Sequence, residues 1–365
     1  MKRKMVVTGL CLFALLSAGQ ILRLAAQQQT RKINTTPAPP LRVEPAKESD
    51  VAGKTVAAAK AFLATLDDAA RAKVSFAFNS DQKSKWSNLP VGIYKRNGLR
   101  WGDMSAAQRE ATLKLLATAL SKQGLQKVKE IMEGDETLRT SDSGRGGGPI
   151  FGRDEYYLAL LGAPSLTEPW MIQFGGHHLA INLTIVGKSN VLTPSLPAAQ
   201  PSTYKLNGET VRPLGRENDK AFALINSLDA AQQKQAILPY QVGELVLGAG
   251  EDGKTIEPEG VKVSALNNAQ KEKLLDLIHE WVGILNDEAA AAKMAEIKAN
   301  LPETWFAWSG PTTQGSAAYF RIQGPTLFIE YSPQRMRGGG GLDLNHIHTI
   351  YRDPTNDYGA RLVKR

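Results

Sequence analysis

Two stretches of the chain align on each other without gaps at a shift of 162 residues. Leu66-Asp67 falls on Leu228-Asp229, Gly98 on Gly260, Ala107-Gln108 on Ala269-Gln270, Glu110 on Glu272 and Leu113 on Leu275. A repeat of this kind constrains the fold strongly, because one supersecondary unit must serve both stretches. The local chemistry repeats with the letters. Ser105 with Gln108 reads as a capping box that satisfies two orphan donors at a helix start, and Asn267 with Gln270 reads as the same device. An amphipathic helix is expected after each. Its core face is read at Leu113, Leu116, Ala117 and Leu120 in the first copy, and at Leu274, Leu275, Ile278, Trp281 and Val282 in the second.

After each helical stretch the chain changes to short β-prone runs separated by Gly and Pro, at 156–161, 170–174 and 177–186, then at 305–308, 319–323 and 327–331. At a shorter shift of 148 residues Gly176 meets Gly324, Leu179 meets Leu327 and Asn182 meets Glu330. The expected class is α+β: two similar halves, each made of helices followed by an antiparallel meander, packed together. The halves are read at 51–215 and 216–365. Residues 20–50, rich in Gln, Thr and Pro, read as a flexible tether.

Residues 1–19 read as a secretory signal: Lys2, Arg3 and Lys4 precede an apolar run from Met5 to Ala18. That run is shorter than the roughly 20 residues a spanning helix needs, so cleavage is expected, and with it a secreted or periplasmic protein without stable membrane insertion. Cys11, the chain's one cysteine, falls inside the signal. A mature chain without a thiol has no disulfides, thiolate ligands or cysteine nucleophile. Three signal cations account for part of the formal charge of +8, leaving +5. Lys and Arg are spread among acids rather than gathered in a stripe with aromatics, so nucleic acid is not an expected partner.

Four of the five histidines lie in two short segments. His279 is the exception and reads as a packed or surface residue of a helix. His346-Ile347-His348 reads as a strand, which points both imidazoles to one face. In Gly175–Asn182, read as extended, His177 would share its face with Leu179, Ile181 and Leu183, and His178 with Ala180, Asn182 and Thr184. His178 is therefore expected to join His346 and His348, with His177 the next candidate. Three imidazoles leave a fourth tetrahedral position for water, the arrangement of catalytic zinc. Copper or iron also suits such a donor set. Asp353 or Glu330 is expected as proton acceptor, Asn182 or Arg352 beside a developing oxyanion, and Trp170, Tyr351 and Asp357 as substrate contacts.

Gly144–Gly148 and Gly338–Gly341 read as linkers, since neither has the sequence of a phosphate cradle. The chain also lacks Gly-x-Ser-x-Gly and His-Glu-x-x-His. Glu168-Pro169-Trp170, Gly176-His177-His178-Leu179, Asn182 and His346-Ile347-His348 through Arg352-Asp353-Pro354-Thr355-Asn356-Asp357-Tyr358-Gly359 together resemble the uncharacterised domain-of-unknown-function family number 3500, over nearly the whole mature chain. The resemblance implies a shared Trp, double-His and terminal His-x-His pattern, and no reaction. The functional expectation is a divalent-metal-dependent hydrolase, zinc favoured, acting on an extracellular or periplasmic small molecule or polymer. A non-catalytic ligand-binding module and a copper or iron redox protein are the alternatives.

Overall fold

A computed structural model describes residues 30–32, 39–141, 149–336 and 341–363. The signal, Gly144–Gly148 and Gly338–Gly340 lie outside these residues. Among the described residues eight α-helices form: α1 (Val51–Ala64), α2 (Asp68–Val74), α3 (Ala106–Ala119), α4 (Lys122–Ser141), α5 (Gly215–Ile225), α6 (Ala230–Ala236), α7 (Asn268–Val282) and α8 (Asp287–Ala299). Both expected capping boxes form, at Ser105 and at Asn267. The buried stripe of α3 is Thr112, Leu115, Leu116 and Ala119, with Ala117 exposed, so the expected face is turned by about one residue. All five expected core positions of α7 are buried. No helix among the described residues is long and apolar enough to cross a membrane.

The main strands are β1 (Ser75–Phe76), β2 (Leu99–Arg100), β3 (Tyr157–Leu161), β4 (Trp170–Gly176), β5 (Leu179–Val186), β6 (Ser189–Val191), β7 (Leu196–Pro197), β8 (Val261–Lys262), β9 (Trp305–Ser309), β10 (Tyr319–Gly324), β11 (Leu327–Arg335) and β12 (Leu342–Arg352). One sheet runs β1-β3-β4-β5-β6, with β2 also on β3 and β7 also on β5; the other runs β8-β9-β10-β11-β12. Both are antiparallel apart from the β1–β3 pair. The protein is thus mixed α+β, with helices preceding a meander in each half.

Segment 195–199 joins the sheets. It pairs with β5 at Leu196 and Pro197, and on its other edge with β12. Ser195 and Tyr351 exchange both backbone hydrogen bonds at 2.8 Å, and Ala199 and Ile347 exchange theirs at 2.9 and 3.0 Å. Strand alternation then sorts the side chains across the seam. Leu179, Ile181, Ile329, Ile347 and Tyr351 face a helix-covered cluster that includes Phe62, Leu115, Phe222 and Trp281 and runs through both halves. Ala180, Phe328 and Ile350 face away from it, under Trp86, Leu247 and Ile256 of two long loops. The seam therefore has a helix side that is core and a loop side that is reached from the surface.

Candidate metal centre

Hairpin geometry places the first histidine pair. β4 and β5 pair as far as Gly176–Leu179, so His177-His178 is the two-residue turn between them and not the start of a strand. This corrects the extended reading of 177–178: strand alternation stops at Gly176 and resumes at Leu179. His178 has φ 61°, in the left-handed region that costs a non-glycine residue about 1 kcal/mol or more. Its neighbours hold it there: its N–H donates to Asn88 O at 3.2 Å, and its carbonyl accepts from Ala198 N at 2.8 Å.

The other pair comes from β12. His348 lies opposite Ser332 in the ladder, but the register then slips: Ile347 faces Pro333 while Asp343 faces Gln334. Leu344, Asn345 and His346 are left outside the pairing, a bulge that re-aims His346. Backbone and side chain of Asn345 both accept from Ser202 N, at 3.0 and 3.1 Å. β12 thus delivers two imidazoles and the β4–β5 turn a third, across the 195–199 seam.

The three rings meet at their Nε2 atoms. His178 and His346 approach to 3.0 Å, His346 and His348 to 3.0 Å, and His348 and His178 to 3.3 Å. Tetrahedral coordination with metal–nitrogen bonds of about 2.0–2.1 Å sets ligand nitrogens roughly 3.3 Å apart. His178 and His348 are buried and His346 half-buried. A neutral imidazole nitrogen carries either a proton or an in-plane lone pair. Of three such atoms at least two are alike, so one close contact opposes like with like unless a cation takes all three lone pairs. Burial, reinforced by the other imidazoles, holds the His178 pKa well below its ordinary value, which keeps it in the neutral form a ligand needs. The group His178, His346 and His348 could hold a metal ion.

Residues outside the sequence reading complete the surroundings. His348 Nδ1 meets Glu244 Oε1 at 3.1 Å, the carboxylate–histidine arrangement that fixes a ligating ring. Partial desolvation opposes ionisation of the exposed Glu244 side chain, but His348 and the Leu245 N–H hold its carboxyl below the usual range. His177 stacks on His178 at 3.6 Å between centroids. It is pinned by Asp135 at 2.6 Å and by Tyr156 OH on its carbonyl at 2.7 Å. It therefore supports a ligand rather than joining the three. His279 is exposed.

Other expected site residues are engaged elsewhere. Glu330 is fully buried and accepts from Val246 N, Leu247 N and Tyr319 OH at 2.6–3.1 Å. Arg352 donates to the carbonyls of Leu247 and Gly248 and to Asp252 and Asp357. Both thus clamp the loop that presents Glu244. Asp353 accepts from Lys293 at 2.5 Å and from Thr355, and Asn182 bridges Gln173 and Pro194 O. Trp170 and Tyr351 are 0 % and 1 % exposed within the helix-side core. They pack rather than face a substrate. For all of these the correction has one cause: shared sequence neighbourhood with the histidines says nothing about which loop closes over which side of a sheet.

Asp357 carries a separate consequence. Burial pushes its pKa up to about 6, although Arg352 draws it down. The stability this group contributes is complete below its unfolded value near 3.8 and is lost as pH rises through about 6. Asp357→Asn is expected to flatten the melting temperature profile between pH 4 and 6. An unchanged slope in a thermal melt series would overturn the assignment.

No curated protein and no solved structure matches the chain. A family model matches residues 48–360, which include all three histidines, the Glu244 loop and the seam. The chain belongs to the family described as protein of unknown function, DUF3500.

Proposed function

We propose that the protein is an exported hydrolase working with one divalent cation, zinc first, held by His178, His346 and His348. The observation that carries the reading is the triangle of Nε2 atoms 3.0–3.3 Å on a side. A zinc ion bound by three imidazoles supplies Lewis acidity and lowers the pKa of a water in its open position. The chain's own contribution is to hold the rings: Glu244 orients His348, His177 packs against His178, and the Asn88 amide lies 3.4 Å from the His348 ring nitrogens. Export rests on the signal-like residues 1–19.

The test is metal analysis of purified protein after dialysis against zinc, followed by a panel of ester, amide and phosphoester substrates. One equivalent of zinc per chain is expected, with hydrolysis that a chelator abolishes. Bound copper or iron would redirect the reading to redox chemistry. Metal-free protein indifferent to His346→Ala would sink it.

A single equivalent is expected even though the two halves read as a duplication. Support for the duplication comes from matched contacts. Gly98 and Gly260 have φ 116° and 98° and back onto the carbonyls of Leu158 and Phe306, so that a Cβ has no room at either. Gln108 and Gln270 cap Thr65 O and Ser227 O. At the position equivalent to His178 the second half has Thr326, which removes one ligand of a second site. Failure of the two halves to superpose on these pairs would refute the duplication.

A further inference from the structure

Among the described residues the large exposed apolar side chains are Leu41, Leu89, Ile93, Ile150, Ile237, Met336 and Leu344. Four of these, Leu89, Ile93, Ile150 and Leu344, lie on segments next to the histidines or their partners. Leu89, 43 % exposed, follows Asn88, whose carbonyl holds the His178 N–H and whose amide lies against His348. Leu344, 48 % exposed, belongs to the bulge that carries His346. Ile150, 50 % exposed, exchanges a bridge with Val91 and precedes Phe151, whose ring lies 5.0 Å from that of His177. Ile93 is in the same loop as Leu89, its N–H bonded to Pro90 O.

Single exposed apolar residues are ordinary on a protein surface, whereas several on the segments that frame one site mark a binding surface. Several of the charges beside this rim are engaged: Arg139 and Arg153, which line the same hollow as Ile150, pair with Glu136 and Glu133. Arg96 turns Nη2 inward to the carbonyls of Ser87, Leu89 and Gly176 at 2.5–2.8 Å. Glu244, the exposed acid of the group, is held by His348. A phosphorylated or polyanionic substrate would need a cluster of free cations at this rim, where Lys95 and Arg335 are single exposed cations on separate segments, and an apolar one needs the leucines and isoleucines that are there.

We infer that the substrate of the histidine site is a carboxylic ester or amide whose acyl chain is apolar, with Leu89, Ile93, Ile150 and Leu344 gripping the chain. The inference rests on the metal-hydrolase reading and narrows it. In the reaction water adds to the acyl carbon, the bond to the alcohol or amine breaks, and that leaving group takes a proton, so atoms balance without a co-reactant.

Binding can be read without turnover by comparing acetohydroxamate with octanohydroxamate on zinc-loaded full-length protein, using calorimetry. Burying several methylenes is expected to tighten the longer probe by at least about tenfold. The Leu89→Asp, Leu344→Asp double variant is expected to erase that preference while keeping one zinc and the affinity for acetohydroxamate. Equal affinities in the parent protein would overturn the apolar-chain inference with the metal reading intact. Failure of either probe to bind because zinc itself does not bind would overturn both. A double variant that dissociates a dimer yet keeps the chain-length preference would assign the rim to a second copy of this chain and also overturn the inference.

Discussion

His348→Ala is expected to lower zinc affinity at least about a hundredfold and to abolish any zinc-dependent turnover. Loss of an outer carboxylate partner alone costs a metal site about 10- to 100-fold, and His348 is the ring on which most of the present site converges. It meets His346 at 3.0 Å, His178 at 3.3 Å, Glu244 at 3.1 Å and the Asn88 amide at 3.4 Å. A competition titration against a chromophoric chelator measures the loss directly. Thermal melts give a second reading. A ligand present at a thousand times its dissociation constant stabilises the folded state by about 4 kcal/mol, so zinc is expected to raise the melting temperature of the parent protein and leave that of His348→Ala unmoved. Without metal the variant is expected to fold, because the ring is removed from a polar cluster and not from the helix-side core. Equal zinc affinities for parent and variant would dismiss the triangle as a metal centre.

The histidines were legible in the sequence for reasons of unequal quality. Strand alternation pairs His346 with His348, and β12 is a strand, although a bulge rather than simple alternation aims His346. Alternation favours His178 over His177 but does not apply, since both occupy a turn. His178 is nonetheless the residue in the triangle, because the left-handed φ at the second turn position swings its ring towards β12. Glu244, Asn88 and Asp135 were not legible. They lie 104, 260 and 42 residues from their histidine partners, on loops or a helix whose periodicity reports burial and not a neighbour. Of the fold, the helices and meander were legible from capping boxes and β-prone runs. The 195–199 segment that fuses the two sheets was not, for it is short and proline-bearing, and one of its edges pairs with β12, far away in sequence.

Glu330→Ala is expected to destabilise the protein by about 3–5 kcal/mol, the usual cost of removing one member of a buried charged network. The carboxylate is fully buried. Burial raises its pKa, opposed by the Val246 and Leu247 N–H groups, the Tyr319 hydroxyl and the Arg321 charge. Removing it leaves those two N–H groups and the hydroxyl without their acceptor. Arg321, 1 % exposed, is left with Glu259 at 2.9 Å as its ion partner. The same change is expected to reach the histidines. Val246 and Leu247 are tied down by Glu330, and Glu244 stands two residues before Val246, so a freed loop no longer presents its carboxylate to His348. Denaturant melts and zinc titrations of two variants separate the effects. Glu330→Ala is expected to lose both stability and zinc affinity. Glu244→Ala, at an exposed side chain, is expected to lose about 10- to 100-fold in zinc affinity and little stability. If Glu330→Ala kept the zinc affinity of the parent while losing stability, the clamp would be a feature of the fold alone, and Glu244 would find His348 without it.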